Sequence, residues 1–377
     1  MNEKELFDYI KALPTADASM IRQAEARQAA LAKPPGSLGK LEAISVRMAG
    51  ITGQLTGIPK KPAVIIMSAD NGVVAEGVSS APQSVTMAQT INFTRKLTGV
   101  GALAKTFDTD LLVTDVGING KVPEELSSEK ITDIFHGRIL DRKIACGTDN
   151  LACGPAMTRQ QALEAVSTGI EVAEAAADAG YDLFGIGEMG IGNTTTSTAV
   201  LSAITGLEPE AITGRGGGIT DSSFIKKKQI INDALKRNWP EGGACEDIID
   251  TLARVGGFDI AAMAGAFIGA ASRHLPAVID GYISVVAALT AASLAPVSKN
   301  TMFASHRSEE PGYDAAIKVL GLDPMLDLDM RLGEGSGCVL AFQVIKGACG
   351  VMTGMATFDE AKINDDYLEE IRKGDCF

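Results

Sequence analysis

Aromatic residues make up only 5% of this 377-residue chain, which has a single tryptophan and three histidines, His136, His274 and His306. So few imidazoles leave little material for a histidine metal site, and neither a metal nor a cofactor is expected. The six cysteines (Cys146, Cys153, Cys245, Cys338, Cys349 and Cys376) form no CxxC pair. That spacing excludes a zinc ribbon or a small disulfide scaffold and predicts buried free thiols in a reducing cytosol. Positive charge is scarce too: 34 Lys and Arg stand against 47 Asp and Glu, a net charge of -13. A polyanion needs a basic face, so nucleic acid is excluded as a partner. A small phosphate is not, because a few backbone amides and one lysine can hold it. The N-terminal stretch MNEKELFDYIKALP lacks the apolar centre of a signal peptide. The most apolar run, Ile260 to Val297, is interrupted by Arg273, His274 and Asp280, whereas a bilayer span needs about 20 unbroken apolar residues. This run reads as a buried helix, a strand and another buried helix. No membrane segment is expected, and a cytoplasmic location is.

Glycine, by contrast, is abundant, with 41 copies, so many tight turns or close approaches of backbone to ligand are expected. Residues 1–59 read as helices: Leu6, Ile10 and Leu13 keep helical spacing, an Ala-rich run follows, and Pro34 to Gly36 breaks it. From Lys61 the pattern changes to short apolar runs alternating with helical stretches. Strands are predicted at Ala63–Met67, Asp110–Val116, Tyr181–Ile186, Ala277–Ile283 and Thr301–Ala304. Continuously apolar strands separated by helices indicate a parallel sheet covered on both faces, and its ligand site belongs at the carboxyl ends of the strands. The charged tail from Asp359 to Phe377 reads as helical.

Five polar, glycine-rich segments stand where strands are expected to end. They are Ser68–Thr86 (SADNGVVAEGVSSAPQSVT), Gly185–Ser197 (GIGEMGIGNTTTS), Thr213–Asp221 (TGRGGGITD), Ala304–Gly312 (ASHRSEEPG) and Met330–Gly337 (MRLGEGSG). Glycine turns entering helices present several N–H groups to an anion, and the helix dipole adds to the attraction. Gly185, Gly187 and Gly190 formally spell GxGxxG, the fingerprint of a dinucleotide-binding oxidoreductase. That reading needs an acidic residue at a strand end about twenty residues on. Glu208 and Glu210 are near that distance but flank Pro209, with no strand before them. Glu188 and Glu334 sit among glycines, an odd choice for a solvated face and a suitable one for a base held in a cleft. His306 reads as a loop hydrogen-bonding residue, Asp280 as either a buried structural carboxylate or a cleft residue, and Lys226 to Lys228 as a largely solvated helix face.

Together with LAKPPGSLGKLE (Leu31–Glu42), GGFDIAAMAGAFIGAA (Gly256–Ala271) and PAVIDGYIS (Pro276–Ser284), four of these segments resemble, in order, the nicotinate-nucleotide:dimethylbenzimidazole phosphoribosyltransferase family. The four are ADNGVVAEGVSSAPQSVT, GIGEMGIGNTTT, ASHRSEEPG and MRLGEGSG, and the likeness runs from Lys33 to Phe358. The resemblance implies an α/β fold, a Rossmann-like parallel sheet with helices on both faces, plus a small helical bundle built from the two termini. In numbers, residues 1–60 with 357–377 would form the small domain and 61–356 the catalytic one. It implies transfer of phosphoribose from nicotinate mononucleotide to 5,6-dimethylbenzimidazole, with inversion from β to α, in a homodimer whose partner completes the site. Glu334 would be the general base, with Glu188 close by. Nucleotide contacts would come from Gly190, Gly216, Lys227, Ser308, Arg331 and Gly333, and an azole contact from Gln89. Asn71 replaces the histidine common in the family, and Ala81 a serine found in some members. The resemblance places both on the acceptor side, where another azole, a purine or a phenol is the alternative base. A catalytically idle nucleotide-binding subunit is the other alternative, against which Glu188, Lys227 and Glu334 speak.

Overall fold

A computed structural model describes residues 1–240, 242, 244–368 and 371. The strands in chain order are β1 (Pro62–Ala69), β2 (Asp110–Gly117), β3 (Ser127–Ser128), β4 (Ile139–Asp141), β5 (Leu183–Met189), β6 (Ala277–Ile279), β7 (Met302–Ala304), β8 (His306–Ser308) and β9 (Leu326–Met330). The first helices are α1 (Glu3–Lys11), α2 (Ala18–Ala30), α3 (Lys40–Thr52), α4 (Ser84–Thr94), α5 (Gly99–Thr106), α6 (Arg159–Asp178) and α7 (Asn193–Thr205). After them come α8 (Pro209–Ile212), α9 (Asp221–Asn238), α10 (Ile248–Val255), α11 (Phe258–Ser272), α12 (Tyr282–Leu294), α13 (Pro311–Leu320) and α14 (Ser336–Gly354).

Strand β1 organises the fold because its eight residues are all buried. Ala63, Ile65, Met67 and Ala69 enter one hydrophobic core, and Val64 and Ile66 enter another on the opposite face. Only a strand covered on both sides reads as continuously apolar. Seven strands pair in the order β3-β4-β2-β1-β5-β6-β7, every neighbour parallel. The chain leaves β1 toward β2 and β4, then returns to β5 on β1's other side and continues outward. The junction of β1 and β5 is therefore the switch point of a doubly wound sheet, where ligands bind. Helices α6, α7 and α9 to α13 cover the first core, and α3 to α5 with α14 cover the second. Strands β8 and β9 pair in a separate parallel ribbon.

Several boundaries differ from the sequence reading. Strand β6 stops at Ile279 and not Ile283, because Gly281 caps helix α12. Strand β5 starts later and runs on to Met189, so Glu188 is a strand residue and not a loop residue. The Thr213–Asp221 loop follows α8 and not a strand. Cys146 and Cys153 are exposed, against the expectation of buried thiols. Of the expected tail helix, residues 369, 370 and 372–377, Cys376 among them, lie outside the described residues.

The terminal helices pack in two places. Leu6 and Leu13 enter the first core, and the Tyr9 hydroxyl donates to Glu174 on α6 at 3.0 Å. Ala24 of α2, Ala49 of α3 and Met352 of α14 form a satellite cluster, and the Arg27 guanidinium donates to the Met352 carbonyl at 2.8 Å. Helix α14 is long and apolar enough to cross a bilayer, but half of that stretch is buried in the protein, against α3, α5 and β5.

Candidate functional site

A cleft of about 270 Å³ opens at the carboxyl ends of β1, β5 and β6, near the lower end of the range for small-molecule sites, about 300–1,000 Å³. Of the nine residues expected to act on or hold substrate, all but one line it. Glu188, Gly190, Gln89, Gly216, Ser308, Arg331, Gly333 and Glu334 all line it, with Gln89, Glu188 and Glu334 in direct contact. The exception is Lys227, which is fully buried behind the wall. Its ammonium donates to Thr194 Oγ1 at 2.8 Å and to the Gly214 carbonyl at 3.0 Å, while its neighbours Lys226 and Lys228 are exposed and half-buried respectively. Burial lowers its pKa to about 8, against the pull of Glu310.

Glu334 is held in an unusual backbone. Gly333, Glu334 and Gly335 have φ of 86°, 65° and 85°, a left-handed run that costs a residue with a Cβ on the order of 1–3 kcal/mol. Asp280 keeps the run in place: its two carboxylate oxygens accept the N–H groups of Gly335 at 2.9 Å and Gly337 at 2.7 Å. Asp280 is thus both a buried structural carboxylate and a cleft residue. The Glu334 carboxylate accepts from the Val100 N–H at 3.2 Å and the Gln89 amide at 3.4 Å. Burial raises its pKa, partly offset by the Val100 bond, which moves it toward the range useful to a base at neutral pH.

Glu188 enters from β5. Its Oε1 accepts the Glu334 N–H at 3.3 Å, and its Oε2 accepts the Asn193 amide at 2.5 Å. The same Asn193 nitrogen donates to Asp259 Oδ2 at 3.1 Å, so one amide bridges two buried carboxylates. Burial first, and the Asp259 charge second, raise Glu188 to about 8; burial raises Asp259 to about 6. Neither Asp259 nor Asn193 was assigned to this network from the sequence. The only signal was a lone acid opening the otherwise apolar helix α11.

A carboxylate raised in the native state holds its proton where the unfolded chain has lost it. Stability therefore falls as pH rises from near 4.5 to about 8, and the full penalty persists above that. Glu188→Gln removes the ionisation and keeps the shape. We expect this variant to melt a few °C higher than the parent at pH 9, about 1 kcal/mol corresponding to 2–4 °C in larger domains. The gap should shrink at pH 5. Parallel melting curves at both pH values would sink the assignment of Glu188 as the protonated partner.

The GxGxxG glycines answer to packing. Gly185 and Gly187 lie inside β5, where a dinucleotide fingerprint needs them in the turn. A Cβ on Gly185 would stand 2.5 Å from Cys338, on Gly187 2.7 Å from the Glu334 carbonyl, and on Gly190 2.5 Å from Asp259. These glycines let the backbone of the Glu334 turn and α14 close onto the strand, which disposes of the oxidoreductase reading. Ala81 lines the cleft, but Asn71 does not: it is fully buried and accepts from the Thr196 hydroxyl at 3.3 Å beneath it. His306 is fully buried on β8, with Nδ1 3.0 Å from Ser305 Oγ, not in a loop. Among the described residues no group of three or more His, Cys, Asp or Glu side chains is placed to hold a metal ion.

Group transfer from a nucleotide is the chemistry this cleft serves, because helix starts and glycine turns that suit a phosphate surround carboxylates pushed toward neutrality. Comparison with known proteins agrees, since residues 13–363 match a phosphoribosyltransferase family. The nicotinate-nucleotide–dimethylbenzimidazole phosphoribosyltransferase of Clostridium perfringens is 50% identical over 372 residues, 99% of each chain. That of Chloroflexus aggregans is 45% identical over 342 residues, 91% of this chain and 93% of its own. The crystal structure of the Thermus thermophilus enzyme superposes with a TM-score of 0.84 at 39% identity, covering 92% of this chain and 99% of that one. The chain belongs to the nicotinate-nucleotide–dimethylbenzimidazole phosphoribosyltransferase family.

Proposed function

We propose that this enzyme transfers the 5-phosphoribosyl group of nicotinate mononucleotide to 5,6-dimethylbenzimidazole, releasing nicotinate and forming α-ribazole 5'-phosphate for the cobalamin nucleotide loop. The observation that carries the reading is the convergence of Glu334, Glu188 and Gln89 on one cleft at the sheet's switch point. The acceptor's unprotonated ring nitrogen attacks the anomeric carbon from the face opposite nicotinate. As that bond forms, the bond to nicotinate breaks, and its electron pair neutralises the pyridinium nitrogen. Departure therefore needs no acid. The acceptor's other ring N–H passes its proton to Glu334, whose carboxylate Gln89 helps to orient. Glu188, holding a proton near neutral pH, acts here as a hydrogen-bond donor more than as a full negative charge.

Gly190, Gly216, Ser308, Arg331 and Gly333 hold the nucleotide in this reading. Lys227 acts on it from behind, through Thr194 and the Gly214 loop. Residues 61–356 make the catalytic domain; residues 1–60 with 357–377 make the small helical one, with α1 reaching across to α6. A homodimer is supported by an apolar rim: Leu332 lines the cleft yet is 58% exposed, and Leu97, two residues before the Gly99 that packs on it, is 71% exposed. A second copy would cover both. We place the enzyme in the cytoplasm, with dimethylbenzimidazole preferred over purines and phenols. The test is nicotinate release from nicotinate mononucleotide, followed with and without the azole. Azole-dependent release with an α-linked product is expected; release that ignores the azole would defeat the reading.

A further inference from the structure

Glu310 has no part in the chemistry just described, yet it stands in the wall of the cleft with a relative exposure of 9%. It is the residue before Pro311, at the start of α13. Its Oε1 accepts the Gly216 N–H at 2.9 Å. Its Oε2 is buried and has no hydrogen-bond partner among the described residues. That oxygen lies hard against Gly214, where an added Cβ would sit 1.7 Å away. The two cations that act on this carboxylate are Lys227 and Arg331. An N–H of a glycine turn and two cations are what a phosphate monoester seeks. Here the N–H is given to a carboxylate supplied by the protein itself, and the charges of both cations act on that same carboxylate.

We propose that Glu310 is an internal competitor for the donor's phosphate, claiming the same Gly216 N–H and the same two positive charges. This rests on the reading of Gly216, Lys227 and Arg331 as the phosphate pocket. A carboxylate and a phosphate dianion repel, and one N–H cannot serve both fully, so nucleotide binding displaces Glu310 or gives it a proton. Burial already favours the protonated form of this group, with Lys227 opposing. The device weakens binding of any small anion that lacks the rest of the nucleotide. Inorganic phosphate can offer nothing in exchange for the displaced carboxylate, whereas a nucleotide adds its ribose and base contacts. Glu310 thus sets selectivity for the donor over free anions.

The test compares Glu310→Gln and Glu310→Ala with the parent enzyme. Both variants should bind inorganic phosphate about tenfold more tightly, read by the shift of the melting transition with phosphate concentration; that factor lies at or below what one hydrogen bond to a charged group supplies. The KM for nicotinate mononucleotide should fall, and the KM for the azole should stay as it was. Should the alanine variant fail to fold, the glutamine variant, which keeps the size, decides alone. Unchanged or weaker phosphate binding in the folded variants would overturn the proposal and leave Glu310 as a support for the Gly214–Gly216 turn. The phosphate titration needs no turnover. A parent enzyme that releases no nicotinate would therefore count against the assigned reaction without deciding this point.

Discussion

Glu334→Gln is expected to lower the turnover number by about a hundredfold to ten-thousandfold, the usual contribution of a general base, while binding of both substrates changes little. Glutamine keeps the length and can still accept from the Val100 N–H, so the left-handed turn should survive. It cannot take the proton that the azole must lose. The pH profile gives a second reading. A base must be ionised to work, so activity of the parent falls as pH drops through the Glu334 pKa. Burial sets that limb above the ordinary carboxylate range, and the limb should flatten in the variant. Near-parental turnover with the acidic limb intact would remove Glu334 as the base.

Gly187→Ala should also be severe, although it removes no functional group. The new Cβ would fall 2.7 Å from the Glu334 carbonyl and the Gly335 nitrogen, both backbone atoms, so the turn carrying Glu334 has to move away from β5. Displacing a catalytic group by about 1 Å can cost a hundredfold, and a loss of that order in turnover is expected, with a smaller change in nucleotide KM. Gly347→Ala serves as the control, since apart from its chain neighbours and the helix's own nearby backbone no heavy atom lies within 4 Å of its Cβ position on α14. It should keep full activity and melt slightly higher, gaining about 0.4–1 kcal/mol as such exchanges do where the conformation allows. If Gly187→Ala turns over like this control, the strand does not fix the catalytic turn.

The sequence was informative wherever burial and chemistry write the same pattern into consecutive residues. β1, β2, β5, β6 and β7 are short apolar runs with helices between them, and a strand buried on both sides has to look that way. The outer strands β3 and β4 are two and three residues long and leave no periodicity to read. β9 is the stretch Leu-Asp-Leu-Asp-Met, none of it fully buried, and its polar composition hides it among loops. The site divided along the same line. Glu188 and Glu334 stood out because glycines surround them. Asp259, Asn193 and Glu310 matter through residues 66, 5 and 94 positions away, and no local pattern records such distances. The GxGxxG triplet is ambiguous for the opposite reason. A glycine needed for a tight turn and one needed for a neighbour's backbone look identical in a sequence.

Helix α14 starts at Ser336, just beyond Glu334, and ends beside the Ala24–Ala49–Met352 cluster. At 19 residues and 1.5 Å of rise each, it is a stiff rod of roughly 28 Å. One end adjoins the left-handed turn that carries Glu334, and the other is held by α2 and α3. The N-terminal helices are therefore an anchor for a lever that begins two residues beyond Glu334. A substitution that loosens Ala24 or Ala49 would be felt as a misplaced Glu334 at the opposite end of the helix, with every residue of the cleft unchanged.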